Sequence, residues 1–150
     1  MKRWRALLAA ALVAAFPAYG EPARPTLVSL DYCADQFVLA LADREQILAV
    51  SKDSERAFSH LRARAAGIPQ VRAAAEDVIA LGPDLVVRSW GGDARALAFY
   101  ERFGIHTVQL GYAEDIPGTV EVTRAVAAEI GQAARAEDAA QWAPAELEAG

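Results

Sequence analysis

The chain has 150 residues and a formal net charge of −5, which is enough length for one domain with a substantial core. The negative charge argues against a nucleic-acid-binding surface and against a polybasic patch for membranes. A single cysteine, Cys33, cannot form an internal disulfide, so the fold must depend on its packed core.

The N-terminus has the pattern of a secretory signal peptide over residues 1–20. Three basic residues within the first five precede an apolar run, 6–16, that is too short to span a bilayer. Small residues then stand at the two positions that a signal peptidase reads, which predicts cleavage before Glu21. Cleavage would remove three positive charges and no acid, and so change the net charge from −5 to −8. No cysteine stands at the cut, so a lipid anchor is not expected; a retained N-terminal anchor is the alternative.

From residue 26 onward, predicted strands and helices alternate. Short apolar runs such as Leu85 to Val87 are typical of strands that are covered on both faces, and Gly82-Pro83 ends the helix before this run. The α/β alternation predicts a parallel four-stranded sheet with flanking helices. The predicted strands cover 26–30, 46–50, 85–87 and 105–110, and the predicted helices cover 32–42, 55–66, 74–81 and 94–103.

Apolar spacing predicts which side chains of these helices face the core. Cys33, Phe37 and Leu41 share one face of the first helix, so Cys33 is expected to be a small buried hydrophobe, with a thiol facing a ligand as the alternative. The remaining inward residues are predicted to be Phe58 and Leu61 on the second helix, and Val78 and Leu81 on the third.

The pattern changes after residue 115. Ile116-Pro117-Gly118 predicts a turn. Helices are expected over 119–130 and 135–148, separated at Gly131. No strand follows them, so this tail is predicted to have nothing to pack against.

The sequence lacks the motifs of common enzymes and metal sites. There is no G-x-S-x-G elbow, P-loop or G-x-G-x-x-G. His60 and His106 have no partner at metal-ligand spacing, and His106 is expected at the core or rim of the sheet. No nucleophile has a base beside it, so the chain is predicted not to be an enzyme. A metal site built from its own side chains is likewise not expected.

The loops after the predicted strands carry residues suited to a ligand. Because the carboxyl ends of parallel strands meet at one edge, aromatic and glycine residues there would suit a bulky, flat, partly polar molecule. The alternative is that they are unrelated loop residues. The candidate binding residues are Tyr32, Lys52, Asp53, Trp90, Gly91, Gly92 and Tyr112.

Four segments resemble, in order and spacing, the iron/cobalamin periplasmic-binding family, and the resemblance covers residues 26–142. These segments are 26–30, 47–51, 76–87 and 104–108; the stretch ALGPDLVVRSWGGDA, residues 80–94, contributes strongly. Members of this family are the solute-binding proteins of ABC importers for cobalamin, ferric siderophores and haem.

The resemblance implies two α/β lobes joined by a long rigid helix, with the ligand clamped between them. Residues 21–115 would be the N-terminal lobe, and 116–150 the start of the connecting helix. Tyr32, Trp90 and Tyr112 would contact a corrinoid, which the Trp-Gly-Gly-Asp-Ala loop favours, or a ferric siderophore or haem. Glu76 would dock the lobe onto arginines of the ABC permease. The protein would be a periplasmic monomer without a resident cofactor.

Two features depart from the family pattern. The family's chains are roughly twice as long, so the second lobe is missing and the chain is expected to be truncated. Pro144 also stands where the connecting helix would continue, and an interior proline costs about 3 kcal/mol. The alternative function is a single-lobe exported domain that docks a protein partner through Glu76 and carries no small molecule. An exported hydrolase is disfavoured, because no nucleophile is present.

Overall fold

A computed structural model of the protein describes residues 24–148, with side chains described for 24–140. The predicted signal peptide and its cleavage site lie outside the described residues. Within 24–148, no helix is both long enough and apolar enough to cross a membrane.

The described chain forms a five-stranded parallel sheet with helices on both faces. The strand order is β3-β2-β1-β4-β5, so β1 is central and all carboxyl ends lie along one edge. The strands are β1 (Leu27–Ser29), β2 (Ile47–Ser51), β3 (Gln70–Val71), β4 (Leu85–Arg88) and β5 (His106–Gln109). The helices are α1 (Tyr32–Leu41), a 3-10 turn (Arg44–Gln46), α2 (Arg62–Ala65), α3 (Ala75–Ile79), α4 (Ala94–Arg102), α5 (Ile116–Glu129) and α6 (Ala133–Glu148).

The predicted α/β fold with a parallel sheet is confirmed, but the sheet has five strands instead of four. The additional strand is β3, which lies between the predicted helices over 55–66 and 74–81. It pairs with the end of β2, Gln70 opposite Val50 and Val71 opposite Ser51. Two residues are too few to show the alternation that identifies a strand in a sequence.

Successive residues of the strands lie on opposite faces of the sheet and contribute to two apolar layers. Leu27 and Val87 belong to the first core layer, with residues of α1, α5 and α6, whereas Val28 and Val86 belong to the second core layer, with residues of α3 and α4. The fully buried Tyr100 of α4 belongs to this second layer. The period of two along each strand therefore places helices on both faces of the sheet.

The predicted helix over 55–66 is largely wrong. Successive turns occupy residues 52–61 and α2 comprises only Arg62–Ala65; Ser54, Arg56 and Ser59 each donate a backbone N–H to a carbonyl three residues earlier. The apolar residues in this segment are too few to hold a longer helix against the sheet. Phe58 is consequently exposed, contrary to the prediction, and Leu61 packs against the core as expected.

Two further expectations about helix boundaries are corrected. Helix α3 ends at Ile79, so Leu81 lies beyond it and is exposed, whereas Val78 is buried as predicted. The predicted turn at 116–118 is the first turn of α5. The Asp115 carboxylate accepts a hydrogen bond from the Gly118 N–H at 2.8 Å, and proline is tolerated in the first turn of a helix.

The C-terminal helices pack against the sheet, contrary to the expectation of an unsupported tail. Val126, Ala127 and Ile130 of α5 and the following turn, and Ala136 of α6, are all buried in the first core layer. Gly131, with a φ of 73°, allows the chain to turn between the two helices. Helix α6 continues through Pro144.

Removal of the buried side chain at the centre of the sheet tests this architecture. We expect Leu27→Ala to lower the free energy of unfolding by about 2–5 kcal/mol, because it leaves a cavity between β1 and the helices. The exposed Leu81→Ala is the matched control and should change it by less than about 0.5 kcal/mol. Urea unfolding followed by circular dichroism measures both values, and equal losses would contradict the assigned core.

Candidate ligand-binding edge

A buried carboxylate, Asp31, stands where β1 leads into α1. One of its oxygens accepts a hydrogen bond from the Ala34 N–H at 3.0 Å and so caps the helix. The other accepts three backbone N–H groups of the loop after β4, from Ser89 at 2.7 Å, Trp90 at 3.0 Å and Gly91 at 2.8 Å. Asp31 thereby fixes the loop that carries Trp90 to the start of α1.

Gly91 allows this close approach. A Cβ atom at this position would lie 2.5 Å from the Leu30 carbonyl oxygen, which no side chain could tolerate without moving the backbone. Gly92 follows with a φ of 80°, in the left-handed region that favours glycine. The Gly-Gly pair is thus required for the path of the loop, and the Gly91 N–H is already bonded to Asp31.

A second polar cluster on α1 fixes the loop after β2. The fully buried Asp35 carboxylate accepts the Ser51 N–H at 3.0 Å and the Ser51 hydroxyl at 2.6 Å. The Gln36 amide donates to the Ser59 hydroxyl at 3.0 Å and accepts the Leu61 N–H at 2.9 Å. Burial raises the pKa of Asp35, while the hydrogen bonds from Ser51 and Ser29 oppose that rise.

Three exposed aromatic side chains meet above these anchors, and we call them the aromatic edge. The rings of Tyr32 and Phe58 are 5.4 Å apart, and those of Tyr32 and Trp90 are 6.3 Å apart, both edge-to-face. Their exposed fractions are 39%, 64% and 57% for Tyr32, Phe58 and Trp90. The structure therefore presents an apolar surface with several ring faces at the carboxyl edge of the sheet.

The Tyr32 hydroxyl supplies a polar group to this surface. The adjacent Cys33 side chain is the main cause that raises the pKa of Tyr32, and burial and the Asp31 charge contribute less. The phenol is therefore protonated at neutral pH and can donate or accept a hydrogen bond. Cys33 itself is half-buried and not fully buried as expected. It packs against the first core layer, as Phe37 does, so the face that the helical spacing predicted is correct.

The other sequence candidates lie around this surface without joining it. Lys52 is exposed, and Asp53 pairs with Arg56 at 3.4 Å within the loop after β2. Tyr112 is exposed after β5, two strands away from β1, and no ring contact is described for it.

Phe58 is the one member of the aromatic edge that the sequence analysis did not select. The assignment of 55–66 to a helix placed its side chain in the core. The serine-rich turn sequence before it, with Ser51, Asp53 and Ser54, was the signal for an ordered loop.

The histidines and acids do not form a metal site in the described part of the chain. No group of three or more His, Cys, Asp or Glu residues between 24 and 148 could hold a metal ion. His106 lies on the exposed rim, where its Nε2 is 3.1 Å from the Glu129 carboxylate, on a different part of the molecule from the aromatic edge.

No protein-family model and no curated protein matches the chain. Solved structures do match it. The periplasmic haem-binding protein RhuT from Roseiflexus sp. RS-1, in its apo form, has a TM-score of 0.68 at 23% identity, over 85% of this chain and 49% of that one. A periplasmic haem-binding protein from Pseudomonas aeruginosa has a TM-score of 0.68 at 23% identity, over 83% and 45%. A possible iron-binding, periplasmic solute-binding protein from Staphylococcus epidermidis has a TM-score of 0.70 at 16% identity, over 84% and 50%.

The chain has the fold of one lobe of a periplasmic solute-binding protein. It spans about half the length of the solved structures that it matches. The similarity bears out the α/β lobe that the sequence resemblance implied. At these levels of identity the similarity establishes the fold alone.

The role of Asp31 can be separated from simple helix capping. Asparagine caps helices as well as aspartate does, so Asp93→Asn, at the start of α4, should leave stability nearly unchanged. Asp31→Asn should lower the free energy of unfolding by about 2 kcal/mol or more. The asparagine NH₂ group would replace one carboxylate oxygen, and the backbone N–H groups bound to that oxygen would lose their acceptor. Hydrogen exchange at residues 89–91 should accelerate in Asp31→Asn. Equal, small effects in both variants would show that Asp31 acts only as a cap.

Proposed function

We propose that the protein is the solute-binding component of an ABC importer and that its aromatic edge binds one face of a flat metal chelate. The observation that carries this proposal is the group of Tyr32, Phe58 and Trp90, exposed together at the carboxyl edge of a solute-binding-protein lobe. In open α/β sheets, ligands bind outside the carboxyl ends of the strands. Export to the periplasm through the signal peptide at residues 1–20 belongs to the same proposal.

The chemistry of the edge suits a macrocycle or another broad aromatic chelate. Ring faces supply stacking area, and a protonated Tyr32 hydroxyl supplies one directional hydrogen bond. The matched structures include proteins described as haem-binding, which supports haem as a candidate alongside the corrinoid and the ferric siderophore. Lys52 lies on the loop that also carries Phe58, so it can attract acidic substituents of such a ligand.

We assign permease docking to Glu76. This residue lies in the first turn of α3, and its side chain is exposed. Its neighbour Asp77 is paired with Arg72 at 2.8 Å, whereas no ion pair is described for Glu76 itself. An exposed carboxylate can receive the two N–H groups of an arginine side chain, which fixes orientation and speeds association.

Tryptophan fluorescence tests the ligand proposal directly. In a Trp142→Phe background, Trp90 is the one tryptophan after residue 21. Haemin, cyanocobalamin and a ferric siderophore are titrated separately, and at least one should quench Trp90 emission in a saturable manner. Tyr32→Ala and Phe58→Ala should each weaken that binding about two- to tenfold, in line with the energy of one aromatic contact.

Leu81→Ala, which changes an exposed apolar residue outside the edge, is the matched control and should bind as the parent does. Absence of saturable quenching by all three chelates would overturn the ligand proposal. In that case the alternative function, a protein-interaction domain without a small molecule, would take its place.

A further inference from the structure

The turns over residues 52–61 carry Phe58 but give its ring little support of their own. Phe58 is 64% exposed, and the ring contact described for it is with Tyr32, at 5.4 Å between the centroids. Local hydrogen bonds, such as that from the Ser59 N–H to the Arg56 carbonyl at 2.9 Å, shape the turns. They do not place the turns relative to Tyr32.

Gln36 of α1 joins these turns to the helix that carries Tyr32. Its side-chain NH₂ group donates to the Ser59 hydroxyl at 3.0 Å, and its side-chain oxygen accepts the Leu61 N–H at 2.9 Å. In the part of the chain that the structure describes, these are the hydrogen bonds that connect the turns to residues more than three positions away from them. Both contacts fall within three residues of Phe58.

The Gln36 amide has no N–H group left for a ligand. An amide NH₂ group has two donors. One is bound to Ser59, and the other donates to the Tyr32 carbonyl at 3.2 Å, one turn earlier in α1. Since its donors are committed to the protein, Gln36 can influence a ligand through the position of Phe58.

Leu61 separates this role from folding. Its side chain packs against the first core layer, so apolar contact brings the end of the turns to the sheet. Loss of the Gln36 contacts is therefore expected to free the path of the chain around Phe58 while the lobe stays folded.

We propose that Gln36 is a positioning residue that sets the chelate affinity of the aromatic edge, because it holds Phe58 beside Tyr32 in the unliganded protein. A ring that is already ordered does not lose that freedom on binding, so the affinity is higher. Asp31 holds Trp90 through a different loop, so the two outer rings are positioned independently. This inference rests on the proposed function and deepens it.

The unliganded protein provides the first test. Nuclear Overhauser effects between the ring protons of Tyr32 and Phe58 are expected in the parent. They should be lost in Gln36→Met, which keeps the length of the side chain but none of its hydrogen bonds. Effects between Tyr32 and Trp90 should persist in both proteins, because Asp31 holds the Trp90 loop. Persistence of the Tyr32–Phe58 effects in Gln36→Met would overturn the inference.

A double-mutant cycle measures the effect on binding. Haemin, cyanocobalamin and a ferric siderophore are titrated separately in the Trp142→Phe background, with Trp90 quenching as the signal. Gln36→Met should weaken saturable binding about two- to fivefold, and by no more than Phe58→Ala does. In a Phe58→Ala background the same change should alter the affinity by less than about 1.5-fold, since the ring through which it acts is absent. Additive losses would overturn the inference.

Ser59→Ala tests the same contact from the other side. It removes one of the two hydrogen bonds between Gln36 and the turns, so it should weaken binding in the same direction but less than Gln36→Met does. Parent affinity in both variants would overturn the inference.

Gln46→Met is the matched control for a general loss of stability. The Gln46 side chain donates to the Pro25 and Ile130 carbonyls, both at 3.0 Å, at the opposite edge of the sheet. This variant should bind the chelate as the parent does. A loss of affinity equal to that of Gln36→Met would show that destabilisation alone was measured, and would overturn the inference.

The titrations separate this inference from the proposed function. Absence of saturable quenching of the parent by all three chelates would overturn the proposed function and the affinity role together. Saturable quenching with equal dissociation constants for the parent and Gln36→Met would overturn the role of Gln36 alone.

Discussion

The buried carboxylate of Asp31 is the interaction on which the candidate site depends. It caps α1 and also accepts three consecutive backbone N–H groups from the loop after β4. A buried charge is costly unless hydrogen bonds satisfy it, and here four backbone donors do so. The same contacts remove the freedom of a glycine-containing loop that would otherwise be mobile, so Trp90 is presented at a fixed position.

Polar side chains of helix α1 also fix the end of the neighbouring strand, β2, and the turns that follow it. One turn after Asp31, Asp35 holds the end of β2 through Ser51, and Gln36 holds the turns that carry Phe58. Because α1 also supplies Tyr32, a single helix start positions all three rings. The opposite face of the sheet, with α3, α4 and the exposed Glu76, is built from the second core layer.

Patterns within single elements were predictable from the sequence, and long-range hydrogen bonds were not. The apolar strands, the helix starts at residues 32 and 94, and the shared face of Cys33, Phe37 and Leu41 all follow from local sequence patterns. The strand β3 was missed because two residues carry no period. Phe58 was misplaced because its loop is ordered by Gln36, 22 residues earlier in the chain.

Tyr32 and Trp90 were selected from the strand ends, but the carboxylate that joins their loops is visible only in three dimensions. The packing of Val126 and Ile130 likewise depended on where the chain returns to the sheet.

The central claim is that the aromatic edge is the surface that a chelate occupies. Its most direct test is an amide NMR spectrum of the ¹⁵N-labelled chain with paramagnetic haemin, compared with the same spectrum recorded with diamagnetic gallium protoporphyrin. The account predicts selective broadening by haemin at residues 31–33, 57–59 and 89–92, and unbroadened signals in α5. Broadening centred on α3 and α4, or spread evenly over the surface, would contradict it.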